Sequence, residues 1–153
     1  MRRGYCHVGA ALDLASKAWA RASLEPYGDA SDFLPFVSLR LTFNEGVSFS
    51  MFAFEGNAGL FFLLGLTGIL TLVMAVWTYF SKGWQRTGLS AVTAGAMGNL
   101  IDRSTRGAVT DFLDLHFAEW HPFVFNLADI WISAGFCILI AAPFLQKNRL
   151  LIS

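Results

Sequence analysis

The chain has little charge and no surplus of either sign. Eleven Lys and Arg balance eleven Asp and Glu in 153 residues, and charged residues make up only 14%. Without a basic excess there is no electrostatic footprint for a polyanion, so nucleic acid is excluded as a partner. Cysteine is scarce. Cys6 and Cys137 lie far apart, neither in a C-x-x-C pair, so neither a disulfide framework nor a zinc ribbon is expected. Low-complexity tracts, linker-like stretches and internal repeats are missing, and the chain reads as one domain. What is abundant is apolar: 55% of residues are hydrophobic, 15% aromatic, and the mean hydropathy is +0.51. That is too apolar for an ordinary water-soluble domain and the wrong composition for disorder.

Long hydrophobic runs fill the space that charge leaves. Asn57 to Phe80 is free of charge over 24 residues, enough to cross a hydrocarbon core of about 30 Å. A second run, Ile130 to Gln146, extends back through Phe123 if Asp129 is tolerated near its end. Thr87 to Ile101 is shorter and rich in small residues. Its pairs Ala91/Gly95 and Ala94/Gly98 suit a helix buried against its neighbours. Gly4 to Ala22 is interrupted by Asp13 and Lys17. Ala18-Trp-Ala20 looks like a signal-peptide cleavage site, but a signal-peptide core does not carry two charges. Asp13 and Lys17 stand four apart, where a helix pairs them on one face, and the segment is read as a retained span. The expected fold is membrane all-α: four transmembrane helices near residues 4–22, 57–80, 86–103 and 124–146, in one domain covering 1–153.

Charge asymmetry orients these spans. Arg2, Arg3, Lys82, Arg86, Lys147 and Arg149 fall at one set of ends, with no acidic residue among them. The positive-inside rule places both termini and the 81–86 loop in the cytoplasm and the segments 23–56 and 102–122 outside. The outer segment before the second span changes period. Val37, Leu39, Leu41 and Phe43 alternate with polar residues, as do Val47, Phe49 and Met51, and Asn44-Glu45-Gly46 stands between them as a turn. This predicts a small extracytoplasmic β-hairpin or sheet within about 35–54, lying on the membrane surface.

Polar residues gather at the outer ends of the third and fourth spans. Asn99 and Arg103 share one helix face, and Asn126 and Asp129 share another. Carboxylates stand at Asp102, Asp111, Asp114, Glu119 and Asp129. Near a membrane each is costly unless paired or functional. Two brought together cannot both ionise easily, so the pair holds one proton and offers a general base beside a general acid. That is the chemistry of amide hydrolysis by activated water, without metal or cofactor. Spacing alone does not say which two pair.

Five short blocks occur in order: Asp13-Leu-Ala-Ser16-Lys17, Asn44-Glu-Gly46-Val-Ser-Phe49, Gly98-Asn99-Leu-Ile-Asp102-Arg103, Val109-Thr-Asp111-Phe112 and Phe125-Asn126-Leu-Ala128-Asp129. Together they resemble the lipoprotein signal peptidases, or signal peptidase II, bacterial inner-membrane aspartyl proteases. The resemblance implies that Asp111 and Asp129 are the catalytic pair. It implies that Asn44, Gly46, Asn99, Arg103 and Asn126 line or support the substrate site, and that Asp13 and Lys17 form an architectural ion pair. The implied substrate is a diacylglyceryl-modified prolipoprotein, cut just before its lipidated cysteine at the outer face of the cytoplasmic membrane. The implied partners are that substrate and the bilayer, with a monomer sufficient. The apolar lead before Asp13, twelve residues, is shorter than the family's.

Plainer readings stand beside these. Asp102 is expected to be structural and Asp114 a solvated loop acid. Arg103 could anchor to lipid phosphate, and Cys137 is expected to be a small buried group. Asp111, Asp114, His116, Glu119 and His121 form a dense run of possible ligands, but their spacing fits no common zinc motif, and no metal is expected. Alternative functions are a proton-linked transporter or channel subunit, whose carboxylates would relay protons, and a metal-dependent membrane hydrolase.

Overall fold

The computed structural model describes residues 5–46 and 57–150. Among the described residues four helices carry a four-stranded sheet. The order along the chain is α1 (Tyr5–Ser23), β1 (Ser31–Leu34), β2 (Val37–Asn44), α2 (Ala58–Phe80), α3 (Gly83–Arg106), β3 (Val109–Phe117), β4 (Trp120–Phe125) and α4 (Leu127–Leu150). The sheet runs β1-β2-β3-β4 with every neighbouring pair antiparallel.

α3 is the central helix, and its small residues explain why. A Cβ added at Gly95 would run into the Ala128 carbonyl and Ile132 of α4. One added at Gly98 would run into the Asp13 carboxylate of α1. Glycine at both positions lets two helices approach α3 to backbone distance. On its other side, the Thr93 and Thr78 hydroxyls meet at 3.1 Å and tie α3 to α2. α2 differs in character: most of its large apolar side chains, from Phe61 to Phe80, are exposed. It is the one helix among the described residues long and apolar enough to cross a membrane, and α4 carries a shorter apolar stretch, Leu127–Pro143.

α3 stops at Gly107, whose left-handed conformation (φ 81°) lets its N–H close on the Arg103 carbonyl at 2.9 Å. The chain turns directly into β3. Asp102, in the last turn of α3, accepts the Thr110 backbone N–H at 2.7 Å and Arg21 of α1 at 3.1 Å. Arg21 also donates to the Thr110 hydroxyl at 2.7 Å. Asp102 is therefore structural, as its place beside Arg103 suggests. Ala20 of α1 packs with Leu41 and Phe112, seating the end of α1 on the sheet.

The sheet corrects several expectations. Four helices with a small antiparallel sheet are found as expected, but the sheet is larger than the 35–54 region: residues 109–125, read as an outer loop and the start of the fourth span, form β3 and β4. The alternation Val109, Asp111, Leu113, Leu115 was present, but acids and histidines break its polarity pattern, since both faces near Asp111 are covered. The expected β region of 35–54 also begins too late, because β1 starts at Ser31. Within it, β2 pairs with β1 and β3. The proposed partner run at 47–51 lies outside the described residues. The fourth helix starts at Leu127 rather than 124, and the third runs from Gly83 to Arg106 rather than 86–103. Asp114 is fully buried, not solvated, and Cys137 is exposed on α4, not packed inside.

The tight α3–α4 approach predicts its own sensitivity. Gly95→Val should lower stability by about 1–3 kcal/mol through overpacking, while Gly65→Ala, with nothing within 4 Å of the added methyl, should be neutral or stabilising by up to about 1 kcal/mol. Thermal unfolding of the two variants in detergent measures the difference.

Candidate active site

The start of α4 is built as a reciprocal cap. Asn126 precedes the helix, and its side-chain oxygen accepts the Asp129 N–H at 3.2 Å. The Asp129 carboxylate reaches back to accept the Asn126 N–H at 3.1 Å. This is a capping box with Asn and Asp in the two roles, satisfying two backbone donors a helix start leaves open. It fixes the Asp129 carboxylate over the first turn of α4, where the helix dipole favours negative charge.

The same Asn126 reaches a second carboxylate. Because its oxygen is held by the Asp129 N–H, its NH2 group points away, and it donates to Asp111 Oδ1 at 2.6 Å. The β3–β4 hairpin makes this possible: Leu113 pairs with Phe125, which brings the start of β3 beside the start of α4. Asp111 lies opposite Thr42 of β2, two pairs from Asn44. Burial pushes the Asp111 carboxyl up to about 6. The Asn126 hydrogen bond opposes that rise, the nearby Asp129 charge adds to it, and an Asn44 hydrogen bond and the Lys17 charge oppose it further. Asp111 is buried and Asp129 only half-buried.

Asp129 has a third contact. Asn99 of α3 donates its NH2 to Asp129 Oδ1 at 3.1 Å. The Asn99 oxygen accepts from Lys17 Nζ at 2.6 Å. Lys17 bonds Asp13 Oδ2 at 2.7 Å, and both residues of this pair are fully buried. Asp13 Oδ1 accepts the Ala128 N–H at 2.8 Å, next to Asp129. The pair expected to be architectural thus connects to the site through both a side chain and the backbone.

The remaining residues edge the same region. Arg103 is buried, donates to the Asn44 carbonyl at 3.3 Å and leaves its Nε without a partner among the described residues. Asn44 is exposed at the end of β2, its oxygen accepting the Gly46 N–H at 2.9 Å. Gly46 has φ 80°, which only glycine adopts without strain. The structure thus draws Asp111, Asp129, Asn99, Asn126 and Lys17 into one hydrogen-bonded chain, with Asn44, Gly46 and Arg103 along its margin. Two carboxylates linked through one residue, Asn126, one carboxylate buried and the other half-buried, can hold a neutral acid and an ionised base side by side.

Arg21, Thr110 and Arg40 escaped the sequence reading. Arg21 and Thr110 brace the end of α3 and the start of β3, which an unpaired Arg21 facing a run of acids could have suggested. Asp114 bonds His121 Nδ1 at 2.9 Å, with Arg40 at 4.0 Å and the His116 ring stacked on His121. The ligand-rich run 111–121 is thereby divided between two bonded groups. Among the described residues no three His, Cys, Asp or Glu side chains are arranged to hold a metal.

Comparison with known proteins bears on this arrangement. Residues 5–145 match the sequence model of the family described as Signal peptidase (SPase) II. A protein named lipoprotein signal peptidase from Hydrogenovibrio crunogenus is 36% identical over 141 residues, covering 90% of this chain and 81% of its own. One of the same name from Anaplasma phagocytophilum is 34% identical, covering 94% and 92%. Two solved bacterial membrane enzymes share the fold. The first has a TM-score of 0.77 at 24% identity, covering 90% of this chain and 88% of its own, and the second 0.73 at 23%, covering 94% and 87%.

The raised Asp111 carboxyl makes stability pH-dependent. The unfolded chain releases this proton near the ordinary carboxyl value of 3.8, while the folded chain keeps it to about 6. The folded state therefore binds more protons between those values, and stability falls as pH rises through them. Asp111→Asn should stabilise the folded state at pH 7.5 by on the order of 2–3 kcal/mol at most and so raise the unfolding temperature, with the gain shrinking toward pH 4. Melting curves of both forms across that range test this, and an equal loss of stability at both ends would contradict it.

Proposed function

The chain belongs to the signal peptidase II family, aspartic-type proteases that remove signal peptides from prolipoproteins, and on that premise we propose that Asp111 and Asp129 are its catalytic pair. The observation that carries this is Asn126, which bonds both carboxylates at once. The substrate is a prolipoprotein whose future N-terminal cysteine carries diacylglycerol, and the bond cut is the one before that cysteine.

In this reading Asp129 is the base and Asp111 the acid. Asp129 is the more solvated, accepts one donor on each oxygen and stands at a helix start. Asp111 is buried and retains a proton more readily. A water between them gives a proton to Asp129 as its oxygen attacks the scissile carbonyl carbon. Asp111 gives its proton to the carbonyl oxygen, forming a neutral gem-diol. In the second step one gem-diol hydroxyl returns a proton to Asp111 while the proton on Asp129 passes to the leaving nitrogen, and the C–N bond breaks. The cysteine leaves with a free amine and the signal peptide with a carboxyl group. Both aspartates end as they began, with one proton between them.

The other residues position the substrate. Arg103, with a donor left over, suits a backbone carbonyl, and Asn44 and Gly46 edge the approach from β2. The exposed apolar surface of α2 needs a bilayer to cover it, which supports a membrane-spanning chain. Four spans with both termini cytoplasmic and the site at the outer surface follow from the charge asymmetry already described. A single chain contains every residue used, so a monomer suffices.

Asp111→Asn and Asp129→Asn should each reduce cleavage of a diacylglyceryl-modified precursor by on the order of 10³-fold or more while the protein stays folded. A gel-shift assay with purified variants reads this, and substantial cleavage by either refutes the pair. The pH–rate profile should be bell-shaped, falling at low pH as the second carboxylate takes a proton and at high pH as the shared proton leaves. Turnover should persist in EDTA; loss in chelator and recovery with zinc would favour a metal-dependent hydrolase.

A further inference from the structure

The Asp13–Lys17 ion pair does more than pair. Lys17 Nζ sits 2.7 Å from Asp13 Oδ2 and 2.6 Å from Asn99 Oδ1. An ammonium group can only donate. The Asn99 atom facing it must therefore be the carbonyl oxygen, which leaves the NH2 group facing Asp129 Oδ1 at 3.1 Å. Without Lys17 the amide could turn over at no steric cost, since its oxygen and nitrogen ends are nearly the same size. It would then present an acceptor to Asp129, and an acceptor is satisfied only by a protonated acid. The other amide in the site follows the same logic. Asn126 is oriented by the Asp129 N–H on its oxygen, and so must present its NH2 to Asp111.

We infer that Lys17 is a positioning residue which, by fixing the orientation of Asn99, keeps Asp129 as the carboxylate free to accept the water proton. The inference rests on the reading of Asp111 and Asp129 as the catalytic pair. A purely architectural pair requires only the contact between Asp13 and Lys17, and buried ion pairs contribute little net stability. The additional bond to Asn99 serves the carboxylate beyond it. Asp13 assists by accepting the Ala128 N–H, which holds the backbone beside Asp129. The charged groups around the two acids are Lys17 and Asp13 from α1, and Asp102 and Arg103 from α3. β2 contributes the neutral Asn44.

The test must separate orientation from folding. Removing Lys17 alone strands the buried Asp13 charge, so the informative variant is the double change Asp13→Asn with Lys17→Met. It buries no net charge, keeps an acceptor for the Ala128 N–H and preserves volume at position 17. Its kcat should fall by at least ~10-fold while KM changes by less than ~2-fold. The acid limb of its pH–rate profile should move to higher pH, because the base has lost its oriented donor. A folded double variant with kcat within ~2-fold of the parent and an unmoved acid limb would overturn the inference. If the double variant does not fold, Asn99→Asp supplies the same test. It keeps an acceptor for Lys17 and withdraws the donor from Asp129, so wild-type turnover by folded Asn99→Asp would overturn the inference equally. Asp129→Asn, assayed alongside, keeps the two failures apart. Cleavage by Asp129→Asn would defeat the catalytic pair itself. An inactive Asp129→Asn with an unaffected double variant would defeat only the role of Lys17.

Discussion

A single residue, Asn126, holds the site together through its side chain and its backbone N–H. Its oxygen accepts the Asp129 N–H, its own N–H donates to the Asp129 carboxylate, and its NH2 donates to Asp111. Two of these bonds are what any well-made helix start would contain. The third exists only because the β3–β4 hairpin returns the chain beside Asp111. The cap of α4 and the meeting of the two acids are therefore one arrangement. Moving the start of α4 by one residue would lose both.

The rest of the fold serves to hold that arrangement still. Gly95 and Gly98 let α4 and α1 close on α3, so that Asn99 and Lys17 come within hydrogen-bond distance. Asp102, Arg21 and Thr110 fix where α3 gives way to β3, and thus where Asp111 begins. The cost is a buried carboxyl at position 111, which resists ionising.

Much of this was legible in the residues. Helices lie where the apolar runs and the small-residue stripe put them, to within a few residues, because hydrophobic length and glycine spacing are local signals. The i,i+4 pair Asp13 and Lys17 forms as its spacing requires. Asn126 and Asp129, three apart, were legible as neighbours on one helix face, but not as the reciprocal cap they form. The sheet was harder. β1 is four residues long, exposed throughout, and has no alternation to read. In β3 the acids Asp111 and Asp114 sit on covered faces, so polarity gave the opposite of the true burial. Asp114 looked solvated because its partners, His121 and Arg40, reach it only through strand pairing. Contacts of that kind, like Lys17 to Asn99 across 82 positions, follow from topology and not from spacing.

The central claim is that Asp111 and Asp129 share one proton, carried by Asp111. Carbon-13 NMR of protein labelled at the aspartate carboxyls, assigned by single substitutions at 111 and 129, reads the protonation of each acid directly. At pH 5 the account predicts a neutral carboxylic acid at Asp111 and an ionised carboxylate at Asp129. Both groups ionised at that pH, with neither signal responding to substitution of the other, would contradict it.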